Sequence, residues 1–308
     1  AGRSDRPQRR LHPDADRRLR SALEPRADGH GDATHYPVRI QEFKTTKVTD
    51  NIFMLQGGGG NIAALTGPDG ILLVDDEYRK MSEKLAAALK ELGSATPKYI
   101  LNTHWHGDHT EGNEFFGNES IIIAHANVRK RMSQTNTLFG RSIAPSPAVA
   151  WPVITYAETM TVYVNGEEVQ LVHYPSGHTD GDTVVFFVNS NVVHLGDDFF
   201  VGAFPFVDLD SGGSVRGLMT NIAALIKEIP ADAKVIPGHG PVATLNDLKE
   251  YHSLITDSVK IVEDGMKAGK TLEGLKADGL PERFAKAGEG FIKTPAWIET
   301  IFRDLSKK

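Results

Sequence analysis

One short segment of this 308-residue chain concentrates side chains that could bind metal ions. Within LNTHWHGDHTEGN, three histidines and one aspartate fall inside six residues, directly after the apolar run KYIL. Because alternate side chains of an extended segment point to the same face, His104, His106 and Asp108 can converge where the strand ends. His109 follows on the turn. Four such side chains at this spacing predict a shared metal site rather than a polar loop that is rich in histidine by chance.

Three further side chains of the ligand type follow predicted strands elsewhere in the chain. His178 lies in YPSGHTDGD, Asp197 in VVHLGDD and His239 in VIPGHG, each close to a glycine. Glycine permits the tight turns that would aim these side chains inward. The chain has no cysteine, which excludes disulfides, thiolate metal sites and cysteine nucleophiles. Any metal must therefore be bound by imidazole and carboxylate groups.

Seven candidate ligands suit two metal ions, because one tetrahedral catalytic zinc needs only three protein ligands and an open position. We predict that one ion is bound by His104, His106 and His178. The other is bound by Asp108, His109 and His239, and Asp197 bridges the two ions. These donors favour Zn²⁺, and they are also compatible with iron and manganese. The sequence therefore predicts a centre of two divalent metal ions.

The hydrophobic pattern indicates the elements that must position these ligands. Short β-prone runs precede each of them, and Asn165 with Gly166 marks a hairpin turn. Helical spacing marks SEKLAAALKELG, ANVRKRMSQ, SVRGLMTNIAALIKEIP and most of the chain from Leu245. The segment 135–152 has three prolines and no clear period, so we predict a long loop. Each half has several strands with helices between them, which predicts an α+β fold with two sheets in the core.

Composition narrows the domain organisation and the partners. We predict a flexible tail over 1–35, a metal-binding domain over 36–244 and a C-terminal helical extension over 245–308 that packs on the core.

The formal charge of −6 disfavours a nucleic-acid partner, and no apolar run approaches the ~20 residues of a membrane span. We expect a small-molecule substrate. The oligomeric state stays open. The compartment also stays open, since a trimmed export signal would make the protein periplasmic or secreted and its absence would leave the protein cytoplasmic.

The motifs resemble the metallo-β-lactamase superfamily over about 38–244. The resemblance rests on HxHxDH at 104–109, GHT at 177–179, GD at 196–197 and GHG at 238–240, in the same order and spacing. It implies a four-layer αββα sandwich with the metals at one edge between the sheets. It also implies that Asp75 orients a ligand instead of binding metal, with a strand-end cap as the alternative. Zinc β-lactamases of the best-known subclass have Cys where this chain has Asp197. An Asp at this position resembles the glyoxalase II-type hydrolases and the lactonases of the superfamily instead.

The predicted activity is hydrolysis of an ester, thioester, lactone or amide bond, including a β-lactam. Two ions that share a water would lower its pKa to about 7 and provide hydroxide at neutral pH. Asp108 would orient this hydroxide and take its proton. We expect the walls of the substrate site to come from the loops 57–61, 132–151 and 198–205. In the last of these, Phe199, Phe200 and Phe204 suggest an apolar rim, although we expect at least one of them to pack in the core.

Two other activities stay open, namely a persulfide dioxygenase-like oxidoreductase with a single iron and a phosphodiesterase of the same superfamily. Two zinc ions per chain would favour hydrolysis, whereas one iron would favour oxygen chemistry. The remaining histidines of the folded part are interpreted as structural imidazoles: His125, His173, His194 and His252. We also expect Trp105 to pack in the core, and Phe291 and Trp297 to dock the C-terminal extension.

Overall fold

The computed structural model describes residues 41–307, so the predicted tail over 1–35 lies outside it. The strands are β1 Lys44–Lys47, β2 Ile52–Gln56, β3 Ile62–Leu65, β4 Leu72–Val74, β5 Tyr99–Asn102, β6 Ile121–His125, β7 Asn136–Leu138, β8 Arg141–Ile143, β9 Ile154–Tyr156, β10 Thr159–Val164, β11 Glu167–His173, β12 Thr183–Phe187, β13 Val192–His194 and β14 Lys234–Ile236. The α-helices are α1 Ser82–Glu91, α2 Gly107–Thr110, α3 Asn113–Phe116, α4 Ala126–Met132, α5 Val215–Glu228, α6 Leu245–Lys267, α7 Leu272–Asp278 and α8 Thr294–Ser306.

Two sheets face each other, and helices cover their outer faces. The first sheet has the order β1-β2-β3-β4-β5-β6-β9 and the second has the order β10-β11-β12-β13-β14. Side-chain alternation builds the layers, since Val185 points into the core between the sheets while its neighbour Val184 packs on the helical side. In the first sheet, Leu72 points into that core and Leu73 packs toward α1. The predicted α+β fold with an αββα sandwich is confirmed.

The sheet topology brings the segments after several strands to one edge. β4 and β5 are parallel, and so are β13 and β14, so the carboxyl ends of each pair lie side by side. β11 runs antiparallel to β12, which is antiparallel to β13, so β11 ends at that same edge. Chain segments that are far apart in sequence therefore meet between the sheets at this edge.

The helices after residue 244 form the outer layer of the second sheet. Thr244 begins α6 with a capping box, because its hydroxyl accepts from the Asp247 amide and its own amide donates to the Asp247 carboxylate at 2.7 Å. Trp297 of α8 is fully buried and donates through Nε1 to Ser258 Oγ at 2.9 Å. Within 41–307, none of the helices has both the length and the apolar character that crossing a bilayer requires.

One carboxylate ties α8 to the start of α5. Asp304 Oδ2 accepts from the Val215 backbone amide at 2.9 Å and from Ser214 Oγ at 3.1 Å. A negative charge at this position also interacts favourably with the amino end of a helix dipole. The start of α5 and the end of the loop that precedes it are therefore anchored to the C-terminal layer.

Two details of the sequence prediction were wrong. The segment 135–152 contains the hairpin β7–β8, whose two turn residues, Phe139 and Gly140, both have positive φ angles of 51° and 72°. Such a turn usually has Asn or Gly at its first position, so phenylalanine concealed the hairpin signal. Phe291 does not dock the C-terminal extension by burial, because 51% of it is exposed.

We expect Asp304→Ala to destabilise the protein by about 1–3 kcal/mol, because it removes a charged acceptor from the buried Val215 amide and the half-buried Ser214 hydroxyl. The measurement is the free energy of unfolding from urea denaturation. Asp278→Ala is the matched control, since its carboxylate only pairs with Lys270 on the surface. Equal stability of the two variants would contradict the anchoring role.

Candidate metal centre

All seven predicted ligands meet at the edge between the sheets. They form two groups in which the ligand atoms lie within 4.8 Å of one another. The first group consists of His104, His106, His178 and Asp197, and the second consists of Asp108, His109 and His239. The structure thus brings together side chains that are spread over 136 positions of the sequence, from 104 to 239.

Asp75 and Thr103 orient two of the histidines. Asp75 follows β4 and is completely buried, and its Oδ2 accepts from His109 Nδ1 at 2.7 Å and from Thr103 Oγ1 at 2.8 Å. Because that hydroxyl donates to Asp75, it can accept from His104 Nδ1, which lies 3.0 Å away. Both rings are thereby assigned the tautomer with the proton on Nδ1. Their Nε2 lone pairs face the site.

The other two buried histidines are held in the same way by different partners. His106 Nε2 donates to Asp208 Oδ2 at 3.0 Å, and His178 Nδ1 donates to the Phe206 carbonyl at 2.7 Å. The inward atoms, His106 Nδ1 and His178 Nε2, are then only 2.8 Å apart. In the neutral rings neither of these atoms carries a proton, so two lone pairs face each other. A cation between them would turn this repulsion into coordination.

The polar atoms at the centre fit a metal site on independent grounds. His104 Nε2 is buried without a hydrogen-bond partner, and the buried His109 Nε2 and Asp197 Oδ1 lie 3.1 Å apart without forming a hydrogen bond. Buried polar atoms are nearly always satisfied, so unpaired atoms that point to one place indicate a missing ligand. Ligating histidines generally donate their other ring nitrogen to a carboxylate or a carbonyl, which is the arrangement here. These donors fit Zn²⁺ or a related divalent ion.

The electrostatics also favour bound cations. Burial lowers the pKa of His178 to about 4 and holds the pKa of His104 well below its usual value, so both rings are neutral at pH 7. Burial would also lower the pKa of His239, but the Asp197 and Asp108 carboxylates outweigh it and raise that pKa to about 10. The second group therefore has an excess of negative charge that attracts protons when metal is absent.

Asp197 lies between the two groups. Its Oδ1 is 3.1 Å from His109 Nε2 and 3.4 Å from His239 Nε2, while its Oδ2 is 3.5 Å from His178 Nε2. The second group is the more open one, since the side chains of Asp108 and His239 are 21% and 32% exposed. Solvent therefore reaches the centre from the side of Asp108 and His239.

The glycine-rich segment after β2 is in direct contact with the second group. A Cβ at Gly60 would lie 2.2 Å from the His109 ring, and a Cβ at Gly59 would lie 2.7 Å from Asp108 Cβ. Asn61 also bridges the sheets, because its side-chain amide donates to the Pro237 carbonyl at 2.8 Å. These glycines are required for close approach of the backbone to the ligands.

The predicted rim residues are distributed differently from the prediction. Phe199 and Phe204 are core residues, and Phe200 is also buried, with its ring stacked on His239 at 5.0 Å. The aromatic ring that borders the first group is instead Phe206, 5.6 Å from His106 and 5.7 Å from His178 between ring centroids. Trp105 packs in a small core cluster as expected.

The other histidines lie outside the two ligand groups. His194 contacts the Asn61 carbonyl at 3.1 Å, and His252 contacts the Met219 carbonyl at 3.2 Å. His125 and His173 stack on each other with their centroids 3.7 Å apart. Each has a structural partner, so none of them needs a metal.

Asp208 is the residue that the sequence analysis missed. It lies in the loop before α5, 102 residues after the histidine that it orients. Its other oxygen caps the turn over 209–211 by accepting from the Ser211 amide at 3.1 Å. In the sequence, VDLDS resembles an ordinary capping segment, which is a role that Asp208 also has.

We expect Asp208→Asn to weaken the binding of Zn²⁺ by about 10- to 100-fold, because a neutral amide oxygen is a weaker acceptor for His106 Nε2 than a carboxylate. Competition with a fluorescent chelator measures this affinity. Asp210→Asn is the matched control, since that nearby carboxylate is exposed and pairs with Arg303 at 3.7 Å. A Zn²⁺ affinity of Asp208→Asn equal to that of this control would contradict the positioning role.

Comparison with known proteins agrees with this geometry. The family model of the Metallo-beta-lactamase superfamily matches residues 55–243. Among curated proteins, the chain is 27% identical over 165 residues to 2,4-dinitroanisole O-demethylase subunit alpha from Nocardioides sp. (strain JS1661), covering 51% of this chain and 47% of that protein. It is 22% identical over 259 residues to a linear primary-alkylsulfatase from Pseudomonas sp. (strain ATCC 19151), covering 71% and 48%. It is 29% identical over 149 residues to hydroxyacylglutathione hydrolase from Pelagibacter ubique (strain HTCC1062), covering 46% and 51%.

The chain therefore spans about half the length of the curated relatives that it matches. Among solved structures, a metallo-beta-lactamase from Pontibacter korlensis superimposes with a TM-score of 0.59 at 18% identity, covering 70% of this chain and 99% of that one. A sec-alkylsulfatase from Pseudomonas sp. superimposes with a TM-score of 0.66 at 14% identity, covering 86% and 51%. These likenesses establish the fold. The family match covers more than half of the sequence, and the chain belongs to the metallo-β-lactamase superfamily.

Proposed function

We propose that this protein is a hydrolase that uses two divalent metal ions, with Zn²⁺ favoured, to cleave an ester, thioester, lactone or amide bond. The observation that carries the proposal is the inward convergence of four histidine nitrogens whose rings are each held from outside by a carboxylate, hydroxyl or carbonyl. Such preorganisation is typical of a metal centre and is costly for any other purpose.

The proposed ligand sets follow the two groups. One cation would be held by His104, His106 and His178, and the other by Asp108, His109 and His239. Asp197 would contact both, which is supported by the closeness of Oδ1 to the second group and of Oδ2 to the first.

The metal ions would activate a water molecule and polarise the carbonyl group of the substrate. The chain supplies the rest. Asp108 is the partly exposed carboxylate of the centre, only 3.4 Å from His239, so it is placed to orient the attacking water and accept its proton. A protein nucleophile is not required by this mechanism. Asp75 and Asp208 keep the ligand rings in the orientation that the reaction needs.

The relatives support hydrolysis and leave the substrate class to experiment. One is named for an alkylsulfatase, one for hydrolysis of hydroxyacylglutathione and one for O-demethylation of 2,4-dinitroanisole. In the described part of the chain, every ion pair that Asp108, Asp197 and Asp208 form is to a histidine, and none is to Lys or Arg. The charge of these carboxylates is therefore balanced by histidines or bound cations and not by lysine or arginine.

The purified protein is expected to contain two zinc ions per chain, and metal analysis by mass spectrometry measures this. A screen over lactones, thioesters, β-lactams, alkyl sulfates and phosphodiesters then identifies the reaction. One iron per chain with oxygen consumption would contradict the proposal and favour the dioxygenase. Turnover of phosphodiesters alone would favour the phosphodiesterase.

We expect Asp108→Ala to lower kcat/KM by at least about 100-fold, because it removes both a ligand and the proposed general base. His106→Ala should lose metal as well as activity. The matched control is His252→Ala, whose histidine lies outside the centre and should leave turnover unchanged. Full turnover in both Asp108→Ala and His106→Ala would overturn the mechanism.

A further inference from the structure

Three aromatic rings from distant parts of the sequence meet beside the first ligand group. The Phe139 ring, at the tip of the β7–β8 hairpin, stacks on Phe206 with the centroids 4.4 Å apart. Phe291, from the loop before α8, meets Phe139 edge to face at 6.0 Å. Phe206 in turn contacts the rings of His106 and His178. We call these three phenylalanines the aromatic wall.

Each ring of the aromatic wall is held by the fold. Leu138 and Ile143 of the hairpin pack against the small core cluster that contains Trp105. The Phe206 carbonyl accepts from His178 Nδ1, which fixes that part of the loop to the metal centre. The loop that leads to Phe291 is fixed where the Phe204 amide donates to the Ala287 carbonyl at 3.3 Å.

The aromatic wall is apolar and substantially exposed. Phe139 is 48% exposed and Phe291 is 51% exposed, while Phe206 is half-buried against the ligands. Phe139 lies at the tip of the β7–β8 hairpin, whose two-residue turn requires its φ of 51°. Exposed apolar patches next to a site often mark binding surfaces.

We propose that the aromatic wall binds a hydrocarbon chain of the substrate, so that the enzyme prefers esters or lactones with an apolar chain of about four carbons or more. This inference rests on the proposed hydrolase function and adds the substrate class. The chain would lie along Phe139 and Phe291, and Phe206 would direct its carbonyl end to the metal centre. Burial of each methylene against the wall can raise kcat/KM by up to about fourfold.

The test compares p-nitrophenyl acetate, butyrate and hexanoate on the metal-loaded enzyme. A second series, of ethyl, butyl and hexyl acetates, distinguishes a chain on the acyl side from one on the alcohol side. We expect kcat/KM to rise at least about tenfold from the shortest to the longest member of one series. Phe139→Ala and Phe291→Ala should reduce that ratio about fivefold, because each removes part of the surface on which the longer chains would be buried. Phe139→Leu should retain most of the preference.

Tyr163→Ala is the matched control, because this aromatic residue is 74% exposed on β10 and should not affect chain selectivity. Equal losses on all chain lengths in Phe139→Ala, or no chain-length preference in the unaltered protein, would overturn the proposal.

A direct binding measurement separates this proposal from the proposed function. Calorimetry with 1-hexanol and ethanol reports on the aromatic wall without any turnover. Hexanol binding that is weakened by Phe139→Ala, in a protein that hydrolyses no ester, thioester, lactone or amide, would overturn the hydrolase function and support the aromatic wall. Hydrolysis with no difference between hexanol and ethanol binding would support the hydrolase function and overturn the aromatic wall as a binding surface.

Discussion

His106 Nδ1 and His178 Nε2 face each other across 2.8 Å, and in their neutral forms neither has a proton to donate. The Asp108 and Asp197 carboxylates lie a few ångströms away, again without a Lys or Arg partner in the described chain. Lone pairs and negative charges that are gathered at a sheet edge need protons or metal cations to compensate for them. Folding of this edge and binding of metal are therefore linked, because bound ions stabilise only the folded arrangement.

The residues that surround the ligands hold these groups in place through hydrogen bonds. Asp75 serves two histidines at once, directly through His109 and through Thr103 to His104. Asp208 and the Phe206 carbonyl serve the other two rings from a single loop. The two sheets thus make different contributions, with a buried carboxylate after β4 on one side and a loop before α5 on the other. The ligand rings have little freedom to reorient.

Local sequence was sufficient to find the seven side chains that meet at the site, because they follow apolar strands whose ends lie at one edge of the sheets and several of them lie beside a glycine. Strand and helix periodicities predicted a core of two sheets with helices outside, and the resemblance to the metallo-β-lactamase superfamily implied the four-layer αββα arrangement. Asp208 could not be found, because a capping aspartate in a loop looks the same whether or not a histidine arrives from 102 residues away. The role of Phe206 likewise depends on a tertiary contact, and Phe139 occupies a turn position that rarely has an aromatic residue.

The bond from Asp304 to the start of α5 links the C-terminal layer to the centre through the loop that contains Asp208. During synthesis on the ribosome, every ligand emerges well before α8 does. A nascent chain that lacks α8 would already have its seven candidate ligands but would lack one of the contacts that anchor the Asp208 loop. We therefore expect tight metal loading to be one of the last events in maturation, which would protect the half-made enzyme from trapping an ion in an imperfect site.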